Sequence, residues 1–171
     1  MARLLPAEET LIALPVKMRL VPTLSVLVAS ALVTLPFDAA FPMLPPLGFM
    51  MLISWRMLRA DIWPIWIGIP LGLFDDLVSG QPVGSAVALW TVAMLAMEAI
   101  DRRIVWRDFG IDWLLAATAL FVYLLAGALL ARAGDMMQIL QLIFPQLAWS
   151  AMLLPPAMRV AAMLDGWRRR L

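Results

Sequence analysis

From Leu20 to Phe37 the chain runs without a charged residue, and it does so again from Trp113 to Ala131 and from Met136 to Met158. Apolar runs of this length suit a helix crossing the ~30 Å hydrocarbon core of a bilayer, which takes about 20 residues. Three further stretches read the same way, although prolines or carboxylates shorten them. Pro45 and Pro46 suit the first turn of a second helix, since a proline there loses no hydrogen bond. The expected spans are 20–37, 45–59, 62–78, 82–100, 112–132 and 136–158, with 160–171 left as a basic cytoplasmic tail or surface helix. The fold expected is all-α, a polytopic membrane helical bundle of six transmembrane helices.

Composition agrees. Hydrophobic residues make up 64% of the 171 and charged residues 15%, against roughly 45–50% and about 25% in ordinary globular domains. A water-soluble fold could not cover that much apolar surface with so few charges. Thirteen basic residues against 12 acidic ones give no basic face for nucleic acid. Cysteine and histidine are both absent. Disulfides, thiol nucleophiles, imidazole acid–base chemistry and the usual zinc, haem and iron–sulfur ligand sets are therefore ruled out. Thirteen scattered methionines read as bundle filling, and no cofactor or metal site is expected. Glu8 and Glu9 are out of place in a signal peptide, and no small-residue cleavage site follows the first apolar run, which is expected to be retained.

The basic residues orient the bundle. Arg3, Lys17 and Arg19 precede the first span, Arg56 and Arg59 close the second, Arg102, Arg103 and Arg107 follow the fourth, and Arg159, Arg168, Arg169 and Arg170 follow the sixth. Six crossings bring all of these to one side and leave Arg132 alone on the other. Cytoplasmic loops are the ones rich in Lys and Arg, so both termini are expected in the cytoplasm. Trp63, Trp106 and Trp113 fall near span ends, where interfacial aromatics sit.

One segment stands apart. Gly68, Gly72, Asp76 and Gly80 recur every four residues and share a helix face, the small-xxx-small spacing that lets another helix backbone approach closely. The stripe either fixes the shape of the bundle or receives a partner's transmembrane helix. Ser79-Gly80-Gln81-Pro82 then makes a tight turn into the fourth helix. Asp75 lies about 100° away around the helix and faces elsewhere. Three readings of the carboxylates stay open: outer-interface groups, one solvated and one capping the loop; a contact with a partner protein; or proton or ion coupling.

The run Gly68-x-x-x-Gly72-x-x-x-Asp76-Leu-x-Ser79-Gly80-x-x-x-Gly84 resembles the signature of the rod shape-determining membrane protein family MreD. Chain length, short loops and the basic end fit that resemblance, as does the proline followed by an apolar helix ending in an aromatic, here Pro45 through Trp55. Asp76 falls on the family's acidic position and Asp75 is an addition. The resemblance implies a non-catalytic scaffold of lateral cell-wall elongation in the bacterial inner membrane. It implies association with a bitopic MreC-like protein and, through it, with an MreB-like actin filament protein, a SEDS glycosyltransferase and a class B penicillin-binding transpeptidase. The competing expectation is a substrate-capturing subunit resembling those of energy-coupling-factor transporters, also six-helix bundles of this size.

Glu98, Asp101, Arg102, Arg103, Arg107, Asp108 and Asp112 read as a solvated cytoplasmic connection or a docking point for a cytoplasmic partner. The terminal arginine triplet is expected to hold the tail to anionic lipid. Asp75 and Asp76 cannot serve as an acid–base pair, because consecutive helix residues diverge.

Overall fold

The computed structural model describes residues 16–32, 45–80, 82–103, 108–130 and 135–170. Six α-helices and one 3-10 turn make up its secondary structure, with no strand among the described residues. They are α1 (Val16–Leu32), α2 (Leu47–Leu58), the 3-10 turn Ile65–Ile67, α3 (Gly68–Ser79), α4 (Ser85–Asp101), α5 (Phe109–Leu130) and α6 (Met136–Arg168). Residues 33–37, Gln81, Trp106, Arg107 and Arg132, used in the sequence reading, lie outside the described residues.

Two helices are long and apolar enough to cross a membrane: Gly110–Leu130 and Met136–Arg168. The other four, with 17, 12, 12 and 17 residues, cover about 18–26 Å at 1.5 Å per residue. The bounds of α2 and α3 have visible causes. Pro46 is the N-cap residue of α2, Arg59 leaves the helix extended at its other end, and α3 ends at Gly80 in the left-handed region. The stretch 62–67, expected to be helical, is instead an irregular lead with a 3-10 turn after Pro64.

The segment 160–171, expected as a separate tail, is helical through Arg168. α6 is one helix of 33 residues that passes through Pro145, Pro155 and Pro156. A proline in a helix leaves the carbonyl four residues back without its donor. Pro155 frees the carbonyl of Ala151, and the Trp113 indole of α5 donates to that oxygen at 3.3 Å. The helix survives its proline because a neighbour supplies the missing N–H. Four hydroxyls inside the apolar helices are likewise satisfied at home. Ser54, Thr91, Thr118 and Ser150 each donate to the carbonyl four residues earlier, at 2.7–2.8 Å.

α2 is the central element, packed against α1, α4, α5 and α6, while α3 pairs with α4 and α5 with α6. The Phe49 ring stacks on Tyr123 with centroids 4.2 Å apart, and Trp90 tilts against its other side. Trp55 is fully buried and donates its indole N–H to Ser25 Oγ of α1 at 2.8 Å. Trp63, expected at an interface, belongs to this core. The outside is equally apolar. Leu20, Leu24, Val28 and Leu32 form an exposed row on α1, and Ile69, Leu73 and Leu77 form another on α3. Soluble monomers rarely leave apolar patches beyond a few hundred Å² uncovered.

The C-terminal ends of α2, α4 and α6 meet in ion pairs. Arg56 is only 3% exposed; it reaches Glu98 at 2.6 Å and Asp101 at 2.9 Å, and donates to the Ala60 carbonyl. Glu98 and Asp101, read from the sequence as part of a solvated connection, are thus partners of a buried arginine. Arg59, read from the sequence as a charge closing the second span, approaches Asp165 of α6 at 3.5 Å.

Arg56→Leu strips both carboxylates of their buried counter-ion. Removing one partner of a fully buried pair costs roughly 3–5 kcal/mol, and the partial exposure of Glu98 and Asp101 brings the expected loss to about 2 kcal/mol. Denaturant unfolding of the detergent-solubilised protein reads it directly. An unchanged midpoint would remove these pairs from any account of how α2 and α4 are joined.

Candidate functional site

The motif singled out from the sequence folds as the α3–α4 hairpin. Gly68 and Gly72 sit on the face of α3 that meets α4. A methyl group at Gly68 would lie 3.0 Å from the backbone of Thr91, and one at Gly72 would lie 2.8 Å from the backbone of Ala86 and Val87. The two helices touch main chain to main chain, which only glycine permits at this spacing.

The turn between them is set by two left-handed residues. Gly80 has φ +68° and closes α3, and Gly84 has φ +99° and opens α4. Neither has a neighbour within 4 Å of where a Cβ would stand. Their identity is therefore dictated by backbone conformation, not by space. Between them Pro82 is exposed, and its carbonyl accepts from the Ser85 N–H at 3.0 Å. Ser79 is half-buried, and its hydroxyl meets no acceptor among the described residues.

Gly84 has no side chain with which to cap α4, so the first turn of that helix offers its N–H groups to whatever can accept them. Asp76 does. Its Oδ2 accepts from Gly84 N at 2.8 Å and Val87 N at 3.3 Å, and its Oδ1 from Ala86 N at 2.8 Å and the Ser85 hydroxyl at 3.0 Å. The carboxylate is 1% exposed. A charge buried that deeply is tolerable because four donors and the positive end of a helix dipole surround it.

Asp75 turns the other way, into α1 and α2, and is buried rather than solvated. There Ser30 of α1 and Asp75 flank Gly48 of α2. A Cβ on Gly48 would fall 2.0 Å from Ser30 Oγ and 3.1 Å from Asp75 Oδ1. The sequence reading passed over Ser30 and Gly48. The available signals were that Gly48 is the only glycine in the second apolar run and Ser30 one of few hydroxyls in the first.

The stripe Gly68, Gly72, Asp76 is thus turned inward onto the chain's own fourth helix. Of the two roles left open for it, fixing the bundle's shape matches this geometry, and α4 occupies the place a partner's helix would take. What α3 presents outward is the row Ile69, Leu73 and Leu77. A cavity lies between α4 and α5. It is about 180 Å³, and its lining is apolar apart from Asp101, Thr118 and Tyr123. No family model, curated protein or solved structure matches this chain.

Asp76→Ala should cost about 3 kcal/mol, since it orphans buried donors that meet a charged acceptor, each such bond being worth roughly 1.5–3 kcal/mol. Asp76→Asn should cost less, because one oxygen remains. Gly84→Ala should lose about 1–2 kcal/mol from backbone strain alone. Unfolding midpoints in detergent rank the three. If Asp76→Ala proves as stable as Gly84→Ala, the cap is not the main tie of the hairpin.

Proposed function

We propose that the chain is a multi-pass protein of the bacterial inner membrane, with six crossings and both ends cytoplasmic, acting without catalysis as a scaffold of the lateral cell-wall elongation machinery. In this role it associates with an MreC-like bitopic protein. Through that partner it meets an MreB-like filament, a SEDS glycosyltransferase and a class B penicillin-binding transpeptidase. The observation that carries the reading is the Gly68–Gly84 motif, whose resemblance to the MreD signature coincides with a hairpin in which Gly68, Gly72, Asp76, Gly80 and Gly84 each have a physical task.

Several features support the membrane part of the proposal. Exposed rows of Leu, Val and Ile on α1 and α3 are stable against acyl chains and costly against water. The ends of α2, α4 and α6 that meet in ion pairs carry Arg56, Arg59 and Arg168, all assigned to the cytoplasm by the arginine asymmetry. The four shorter helices reach across with their apolar flanks, such as Ile62 to Ile67 ahead of α3. In the scaffold the α3–α4 hairpin is the rigid post, and its outer row Ile69, Leu73, Leu77 is the surface left for a partner's helix.

The transporter-subunit reading asks for a cavity with polar groups converging on a solute. The α4–α5 cavity, small and apolar, favours the scaffold.

In cells depleted of the native protein, Gly72→Leu and Asp76→Ala should fail to restore rod shape, and Asp75→Ala should restore it more fully. The bitopic partner should co-purify with the native chain and be lost with Asp76→Ala at matched membrane levels. Equal rescue by all three variants would sink the role given to the hairpin. Reporter fusions should place both chain ends in the cytoplasm, and opposite faces would overturn the topology.

A further inference from the structure

Asp165, near the end of α6, is 1% exposed and is approached by three arginines. Arg168 Nη2 lies 2.5 Å from Oδ1, Arg169 Nη2 3.0 Å from Oδ2, and Arg59 Nε, from the end of α2, 3.5 Å from the same Oδ2. One carboxylate neutralises one guanidinium. The buried one is Arg168, at 6% side-chain exposure, while Arg59 and Arg169 stand 34% and 59% exposed. Two exposed cations from different helices therefore converge on an oxygen that is already compensated. Among the described residues no second carboxylate approaches them; Glu98 and Asp101 are engaged by Arg56.

Convergent guanidinium forks with surplus positive charge are a receptor for an oxyanion, above all a phosphate, which takes two bonds from each fork. The surroundings say what kind. On α6, Gly166, Ala162 and Met158 lie one, two and three turns back from Arg169 on nearly the same face. Ala162 is exposed, and Gly166 has open space where a side chain would be. On α2 the residue before Arg59 is the exposed Leu58. A run of small and apolar residues thus leads to two arginines that share the single carboxylate of Asp165 with Arg168. We propose that Arg59 and Arg169 bind the phosphate of an anionic phospholipid, one acyl chain of which lies along Met158, Ala162 and Gly166. The site rests on the membrane reading above but not on the choice of protein partners. It differs from general attraction of the arginine triplet to a charged surface, because it needs Arg59 and leaves Arg170 out.

The test uses the full chain purified in neutral detergent. Phosphatidylglycerol should raise the thermal unfolding midpoint by about 5 °C near saturation, while phosphatidylcholine and millimolar inorganic phosphate should not. Arg59→Gln with Arg169→Gln should abolish the shift, and Arg170→Gln should keep it. Should the double glutamine variant fail to fold, Arg59→Lys with Arg169→Lys retains the charge and should lose most of the shift with the forks. Equal stabilisation by phosphatidylcholine or by phosphate, or loss of the shift in Arg170→Gln, overturns the site. Flotation with phosphatidylcholine vesicles separates the two levels of inference. A chain that floats without a lipid-selective shift refutes this site alone, and one that stays in the supernatant refutes the membrane reading as well.

Discussion

Several polar groups among the described residues find their partners inside the chain and not at its largely apolar surface. The carboxylate of Asp76 takes the free N–H groups of α4. The indole of Trp113 takes the carbonyl that Pro155 releases, and serine and threonine hydroxyls return to their own helices. Arg56 collects two acids from α4. Each bond is modest when water is the alternative and large when hydrocarbon is. The helices are consequently placed by a few polar ties, and the apolar side chains fill the space that those ties leave.

This explains which parts of the structure could be read from the sequence. The presence of six helices was legible from the apolar runs, while their ends were less so: α3 starts only at Gly68 and α6 continues past its prolines and Arg159 to Arg168. The four-residue recurrence of Gly68, Gly72 and Asp76 was enough to put them on one face, because helical periodicity is local. The identity of the surface that face would meet was not local. The backbone of Ala86 and Val87 has no signature in the sequence, so the stripe could equally have awaited another protein. Asp76 could be recognised as an acid needing a partner, but its partners are main-chain N–H groups, which every residue carries.

Other features were hidden for different reasons. Three prolines argue for breaks in α6, and only knowledge of what packs beside Ala151 shows why the helix continues. Gly48 and Ser30 meet across two helices, and neither follows a repeating pattern. Arg56, Arg59, Glu98 and Asp101 were visible as charges that orient loops. That role and structural pairing are compatible, and composition cannot distinguish a solvated arginine from one that is 3% exposed. The motif residues were legible in the sequence, and the structure adds that Gly68, Gly72 and Asp76 face α4.

The Asp76 cap has a consequence for how the chain is made. All four of its donors lie within eleven residues of it in sequence. Neither α3 nor the start of α4 is fully satisfied alone: one would carry a naked carboxylate into the apolar phase, the other a frayed set of amides. Joined, they cancel each other's defect. The pair can therefore form as a single unit soon after Val87 is synthesised, before α5 and α6 exist, and later helices would meet a surface that is already in place.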